Sequence, residues 1–154
     1  MASEFTRLRV SQELEQALRS MITPRIFPKG ATLFRQGADA SGIYLVEKGT
    51  VRVLLPNAEN QNQLLEIVGP GAVLGLSDTM AGTRYRVTVE AEDQATTGFV
   101  EREIFLSFLA NHREFCLQVV RLLSDNLHSL YHKFRNVSAH PGRPRRRSLN
   151  EQLG

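Results

Sequence analysis

The sequence predicts a mainly β fold: an antiparallel β-roll (jelly roll) with flanking helices and a long C-terminal helix. Three observations carry this. Residues 25–100 contain eight short β-prone runs separated by turn signals, the spacing of a closed antiparallel roll. Glycines punctuate the early runs, and Gly30, Gly37 and Gly49 fall where tight turns need a positive φ. Past residue 100 the apolar period changes from that of a strand to that of a helix.

The elements follow in order. Residues 11–21 read as a helix, with Ser11 as N-cap, Glu13 and Glu15 at the positive end and Leu14, Leu18 and Met21 as the apolar stripe. Pro24 is expected to end it. The strands are expected at 25–28, 31–35, 42–47, 50–55, 63–68, 71–75, 84–91 and 94–100. Residues 43–46 form a nearly continuous apolar run, whereas Val51 and Val53 alternate with Thr50 and Arg52. Residues 56–62 form a polar hairpin connection. A helix over 101–110 covers the roll with Ile104, Phe105, Phe108 and Leu109. Asn111 with Glu114 suggests a capping box for a second helix over 112–135. In that helix Cys116, Val120, Leu123, Leu127, Leu130 and Phe134 repeat as a heptad seam, which suits a partner helix in a homodimer. Phe115, Val119 and Leu122 form a second stripe for the chain's own roll. Residues 1–135 therefore read as one domain, and residues 136–154 as a disordered arginine-rich tail.

Composition narrows the function. The chain has 154 residues and a formal net charge of +3. Residues 136–154 carry Arg143, Arg145, Arg146 and Arg147 against Glu151. That leaves fifteen of the nineteen basic and fifteen of the sixteen acidic side chains to residues 1–135, which are neutral overall. The tail suits solvent, nucleic-acid phosphate or an acidic partner. A single cysteine, Cys116, excludes an internal disulfide and fits a cytoplasmic location. Neither a leader nor a membrane-spanning run is evident. His128 and His132 stand four apart, but the expected strands carry no histidine for a jelly-roll metal site. With no nucleophile–base pair in view, the chain reads as a binding module without a cofactor, not as an enzyme.

The segment Lys29-Gly30-Ala31-Thr32-Leu33-Phe34-Arg35-Gln36-Gly37, followed by Gly42-Ile43-Tyr44-Leu45-Val46-Glu47-Lys48-Gly49-Thr50-Val51-Arg52-Val53, resembles the opening of the cyclic-nucleotide-binding domain of CRP/FNR regulators. The resemblance implies a phosphate cassette between two late strands. In that family a Gly-Glu pair opens a short helix, the Glu bonds the ribose, and a later Arg followed by Ser or Thr holds the cyclic phosphate. Here Gly75 matches the glycine, but Leu76 stands at the Glu position, Tyr85 at the Arg position and Arg86 at the Ser/Thr position. Strand alternation places Tyr85, Val87, Val89 and Ala91 inward, with Arg84, Arg86, Thr88 and Glu90 outward. A bulge near Thr83 would instead bring Arg84 inside. The candidate ligand-binding residues are Gly75, Leu76, Ser77, Arg84, Tyr85 and Arg86, with Leu130 and Tyr131 contributed by the long helix.

The expectation is a CRP/FNR-like sensor with a degenerate cassette, open to a small-molecule effector but poorly suited to a nucleotide. It signals through a dimer helix at Val120, Leu123, Leu127, Leu130 and Phe134. The alternatives are genuine cAMP or cGMP binding through a rearranged cassette, and a ligand-free dimerisation module acting on full-length relatives. The family continues past the dimer helix into a winged helix-turn-helix. The sequence ends before one, so no specific DNA binding is expected of this chain alone.

Overall fold

The computed structural model describes the backbone of residues 8–9, 11–59 and 61–138, and the side chains of residues 11–59 and 61–125. Its elements are β1 (Leu8–Arg9), α1 (Gln12–Leu18) with a 3-10 turn (Arg19–Met21), β2 (Thr23–Phe27), β3 (Thr32–Phe34), β4 (Gly42–Lys48), β5 (Val51–Pro56), β6 (Asn62–Val68), β7 (Ala72–Leu74), α2 (Leu76–Ala81), β8 (Thr88–Ala91), β9 (Ala95–Glu101), α3 (Arg102–Asn111) and α4 (Arg113–Ser138). The strands form two sheets, ordered β1-β7-β4-β9-β2 and β3-β8-β5-β6, and every pairing is antiparallel.

Strand β4 shows why its sequence is apolar without a break. It lies in the middle of the five-stranded sheet and is buried on both faces. Tyr44 and Val46 point between the sheets, where they meet Phe34, Val51, Val53, Leu74, Tyr85, Val89 and Phe99. Ile43 and Leu45 point the other way and meet Leu14, Leu18, Val73, Val100, Phe105, Leu109 and Val119. One strand thus separates an inner core from an outer core covered by helices. By contrast, β5 alternates, with Val51 and Val53 inward and Arg52 partly exposed.

Helix α4 lies on the outer core. Val119 is fully buried, and Phe115, Cys116, Leu122 and Leu123 pack partly buried around it. Cys116 and Leu123 therefore touch the chain's own fold rather than standing wholly in a free seam, because a helix covering a sheet buries a broad stripe. Leu117 (45% exposed) and Val120 (50% exposed) remain uncovered. The side chains of Leu127, Leu130, Tyr131 and Phe134 lie outside the described residues, as do those of His128 and His132, and residues 139–154 lie outside them altogether.

Several elements differ from the sequence expectation. Pro24 stands inside β2 instead of closing a helix, which an edge strand tolerates because half of its backbone groups are unpaired. The first helix tightens into its 3-10 turn after Leu18. Asn111 ends α3, its side-chain amide donating to the Ser107 carbonyl at 2.9 Å, and the His112 carbonyl accepts the first amides of α4. Helix α4 runs to Ser138, three residues into the stretch read as tail. The strand expected over 84–91 shortens to β8, whereas α2 stands where the resemblance implies a short helix after Gly75. Among the described residues, no helix is long and apolar enough to cross a membrane, and no cluster of His, Cys, Asp and Glu could hold a metal ion.

Candidate ligand site in the roll

The site begins where β7 leaves its sheet. Gly75 turns the chain into α2 with φ +80°. A Cβ there would lie 2.8 Å from the Tyr85 ring and 3.3 Å from the Gly42 carbonyl, so both backbone angle and space require glycine. Leu76, at the position of the family's ribose-binding acid, does not face the roll. It is buried in the outer core beside Ile43 and Phe105. The first turn of a short helix against a sheet aims this residue at the helices, a direction the linear motif does not reveal. Ser77 stays partly exposed, and its Oγ accepts from Arg86 Nη2 at 3.3 Å.

Asp78 organises the following segment. Its nearly buried carboxylate accepts from the Arg86 amide (3.1 Å), Arg86 Nε (2.9 Å) and Thr83 Oγ1 (3.3 Å). Three donors satisfy a charge that would otherwise be costly to bury. This capture also explains why no regular strand forms before Thr88. The Arg86 amide bonds a side chain instead of a neighbouring strand, and Thr88 Oγ1 takes the Gln36 amide. Only the Asp39–Arg84 bridge continues the pairing, with Tyr85 N donating to the Ala38 carbonyl and Gly37 N to the Tyr85 carbonyl.

Tyr85 faces the interior and is 3% exposed. Its Oη donates to the Gly42 carbonyl at 2.5 Å and accepts from the Gly42 amide at 3.2 Å. Thr79 Oγ1 donates to the same carbonyl at 3.0 Å. The phenol ring stacks on Phe34 with centroids 3.8 Å apart. Arg84 and Arg86 turn to solvent, with side chains 74% and 62% exposed. Arg84 does not enter the roll through a bulge. Among the candidates, Gly75 and Tyr85 are brought together inside, while Ser77 and Arg86 meet on the exterior of α2.

The rest of the interior is aromatic, and sequence inspection did not single it out. Tyr44 lies within aromatic contact of Phe27, Phe34 and Phe99. Its Oη donates to the Leu33 carbonyl (3.3 Å) and accepts from Arg25 Nη1 (2.9 Å). The Arg25 guanidinium also lies 3.9 Å from the Phe99 ring centre. The available signal was the alternation of Arg25, Ile26 and Phe27, which puts Arg25 and Phe27 on one face of β2. Burial pushes the Tyr44 phenol above its ordinary 10.0, while Arg25 pulls it back in part. Glu66 is paired in register with Val53 and is 8% exposed, so β6 carries a carboxylate on its roll-facing side.

Comparison with known proteins gives a consistent result. Residues 24–112 match the family described as Cyclic nucleotide-binding domain. The Cyclic AMP receptor protein of Thermus thermophilus is 31% identical over 120 residues, which are 77% of this chain and 50% of that protein. The CRP-like cAMP-activated global transcriptional regulator of Mycobacterium tuberculosis is 29% identical over 113 residues, 72% of this chain and 50% of that one. The chain thus spans about half the length of these curated relatives. Its fold matches Thermus thermophilus Catabolite Activator Protein with a TM-score of 0.76 at 22% identity, over 83% of this chain and 60% of that chain. The sensor domain of the transcriptional regulator DNR from Pseudomonas aeruginosa matches with a TM-score of 0.67 at 23% identity, over 79% and 82% respectively.

Two outcomes follow from this geometry. Thr79→Val should cost about 1 kcal/mol in urea denaturation, because the Gly42 carbonyl keeps the Tyr85 hydroxyl, and Tyr85→Phe should cost more, about 1–3 kcal/mol, because the buried Gly42 amide also loses its acceptor. The double variant should cost more than the sum, since that carbonyl then loses both. Stability should be insensitive to Tyr44 up to the ordinary tyrosine pKa of about 10. Above it the unfolded phenol releases its proton more readily than the folded one, so stability should fall with rising pH. Denaturation midpoints measured against pH should show this fall reduced in Tyr44→Phe.

Proposed function

This chain belongs to the cyclic nucleotide-binding domain family and has CRP-like relatives, and we propose that it is a regulatory sensor module whose degenerate cassette does not hold a cyclic nucleotide. The observation that carries the reading is Tyr85, whose phenol is bonded to Gly42 and stacked on Phe34 where family members place a guanidinium. Leu76 withdraws to the outer core, and both neighbouring arginines face solvent. A cyclic phosphate buried at the cassette would then lack a cationic host there, which costs several kcal/mol. An effector of lower polarity suits Phe34, Tyr44, Tyr85 and Phe99 better.

The output is proposed to pass through α4 as the contact of a homodimer. Val120 is half-exposed and Leu117 stands beside it, leaving an apolar surface beyond the stripe that covers the roll. Residues 1–135 form the sensor in this reading. The arginine-rich stretch after them serves an anionic partner or solvent, and the module works without catalysis in the cytoplasm. One observation favours genuine cAMP or cGMP binding instead: Arg86 lies against Ser77 and Asp78 on the cassette helix, so it could serve a nucleotide if it left Asp78. The aromatic filling of the roll favours, in turn, a ligand-free dimerisation module.

Titration calorimetry with cAMP and cGMP at millimolar concentration should give no saturable heat, and stoichiometric binding of either would overturn the degenerate-cassette reading. Val120→Glu should convert dimer to monomer in sedimentation velocity, and its melting temperature should no longer rise with protein concentration. A variant that still sediments as a dimer would remove α4 from the interface.

A further inference from the structure

We propose a second ligand site on the outside of the roll: the cleft between the end of α2 and the start of α3 binds a small phosphorylated compound. The cleft measures about 430 Å³ and is lined by Asp39, Ala40, Gly82, Thr83, Arg84 and Arg102. That volume lies within the ordinary range of small-molecule sites, about 300–1,000 Å³. Nothing in this proposal depends on how the roll interior is read.

Arg102 is the prearranged part of the site. It is the first residue of α3, and its amide donates to the Ser41 carbonyl at 2.8 Å. Its side chain folds across the end of α2, where Nε donates to the Thr79 carbonyl at 2.8 Å and Nη1 lies 3.5 Å from Glu103. Gly82 leaves the space for it, since a Cβ there would fall 2.8 Å from Nη2. Gly82 also stands at φ +73°, so the same turn that ends α2 opens the cleft edge to the guanidinium.

Arg84 is the adaptable part. It is 74% exposed and holds only a 3.4 Å contact to the Gly37 carbonyl and a 3.8 Å contact to Asp39. Asp39 is 93% exposed, and a pair of this kind is screened and weak. The lining holds two guanidinium forks and one acid, Asp39, while Glu103 just outside it pairs with Arg102, so charge is balanced and the weakly held Arg84 supplies the readily freed donors. Two planar donors in the lining of one cleft suit a tetrahedral oxyanion. An occupant drawing on Arg102 would also pull on Thr79, whose hydroxyl shares the Gly42 carbonyl with Tyr85.

The test is a proton–nitrogen NMR titration of the full chain with inorganic pyrophosphate at low salt. Saturable shifts are expected at the amides of Gly82, Thr83 and Arg84, with a Kd of about 1 mM or tighter. Arg84→Gln should weaken binding several-fold without changing the melting temperature. Arg102→Gln should abolish it, Arg102→Lys should retain part of it, and Asp39→Asn should strengthen it. The absence of saturable shifts at these amides, shifts confined to roll residues such as Tyr44, or an affinity unchanged by both Arg84→Gln and Asp39→Asn would overturn the proposal.

Discussion

The backbone carbonyl of Gly42 accepts two hydroxyls at once, from Tyr85 and Thr79. This single acceptor joins three segments distant in sequence: the start of β4, the cassette helix α2 and the run leading into β8. Its position demands a residue without a side chain. A Cβ on Gly42 would collide with the Val100 carbonyl and come 2.7 Å from the Phe99 ring. Gly75 meets the same crowding from the other side, because its missing Cβ makes room for the Tyr85 ring. The inward phenol and the two glycines are therefore one packing solution, in which the ring occupies space that the glycines leave free.

That solution changes the chemistry of the roll. A phenol bonded to backbone needs no counter-ion, so the interior can be closed with aromatic rings instead of a charge pair. Phe34 stacks on Tyr85, Tyr44 reaches Phe27, Phe34 and Phe99, and Arg25 bonds Tyr44 while lying over Phe99. The positive charge near the cassette is moved outside. Asp78 takes both the backbone amide and the side chain of Arg86, and Arg84 is left in solvent. Family membership and the outward course of Arg84 and Arg86 are thus compatible. The sheets and helices keep their positions because the two apolar cores set them, and Tyr85 and Leu76 are themselves parts of those cores.

Much of the architecture was legible along the chain. The unbroken apolar run of β4, the alternation in β5, the glycine turns and the change to helical spacing after residue 100 each reflect a local rule. Each appears in the structure within a residue or two. Boundaries failed where a side chain outcompeted the backbone pattern. Asn111 turned back to close α3, and Asp78 interrupted the strand before Thr88. Tyr85 faces inward for a different reason from the one alternation suggested. Its direction is set by Gly42, Thr79 and Phe34 rather than by a regular strand.

Turn chemistry and apolar periodicity act between near neighbours, so the β-roll and its helical cover can be read from residues in order. The outward course of Leu76, the capture of Arg86 by Asp78 and the aromatic cluster around Tyr44 cannot. Each depends on atoms brought together from elements tens of residues apart, and a linear motif carries no record of which face such an encounter will use.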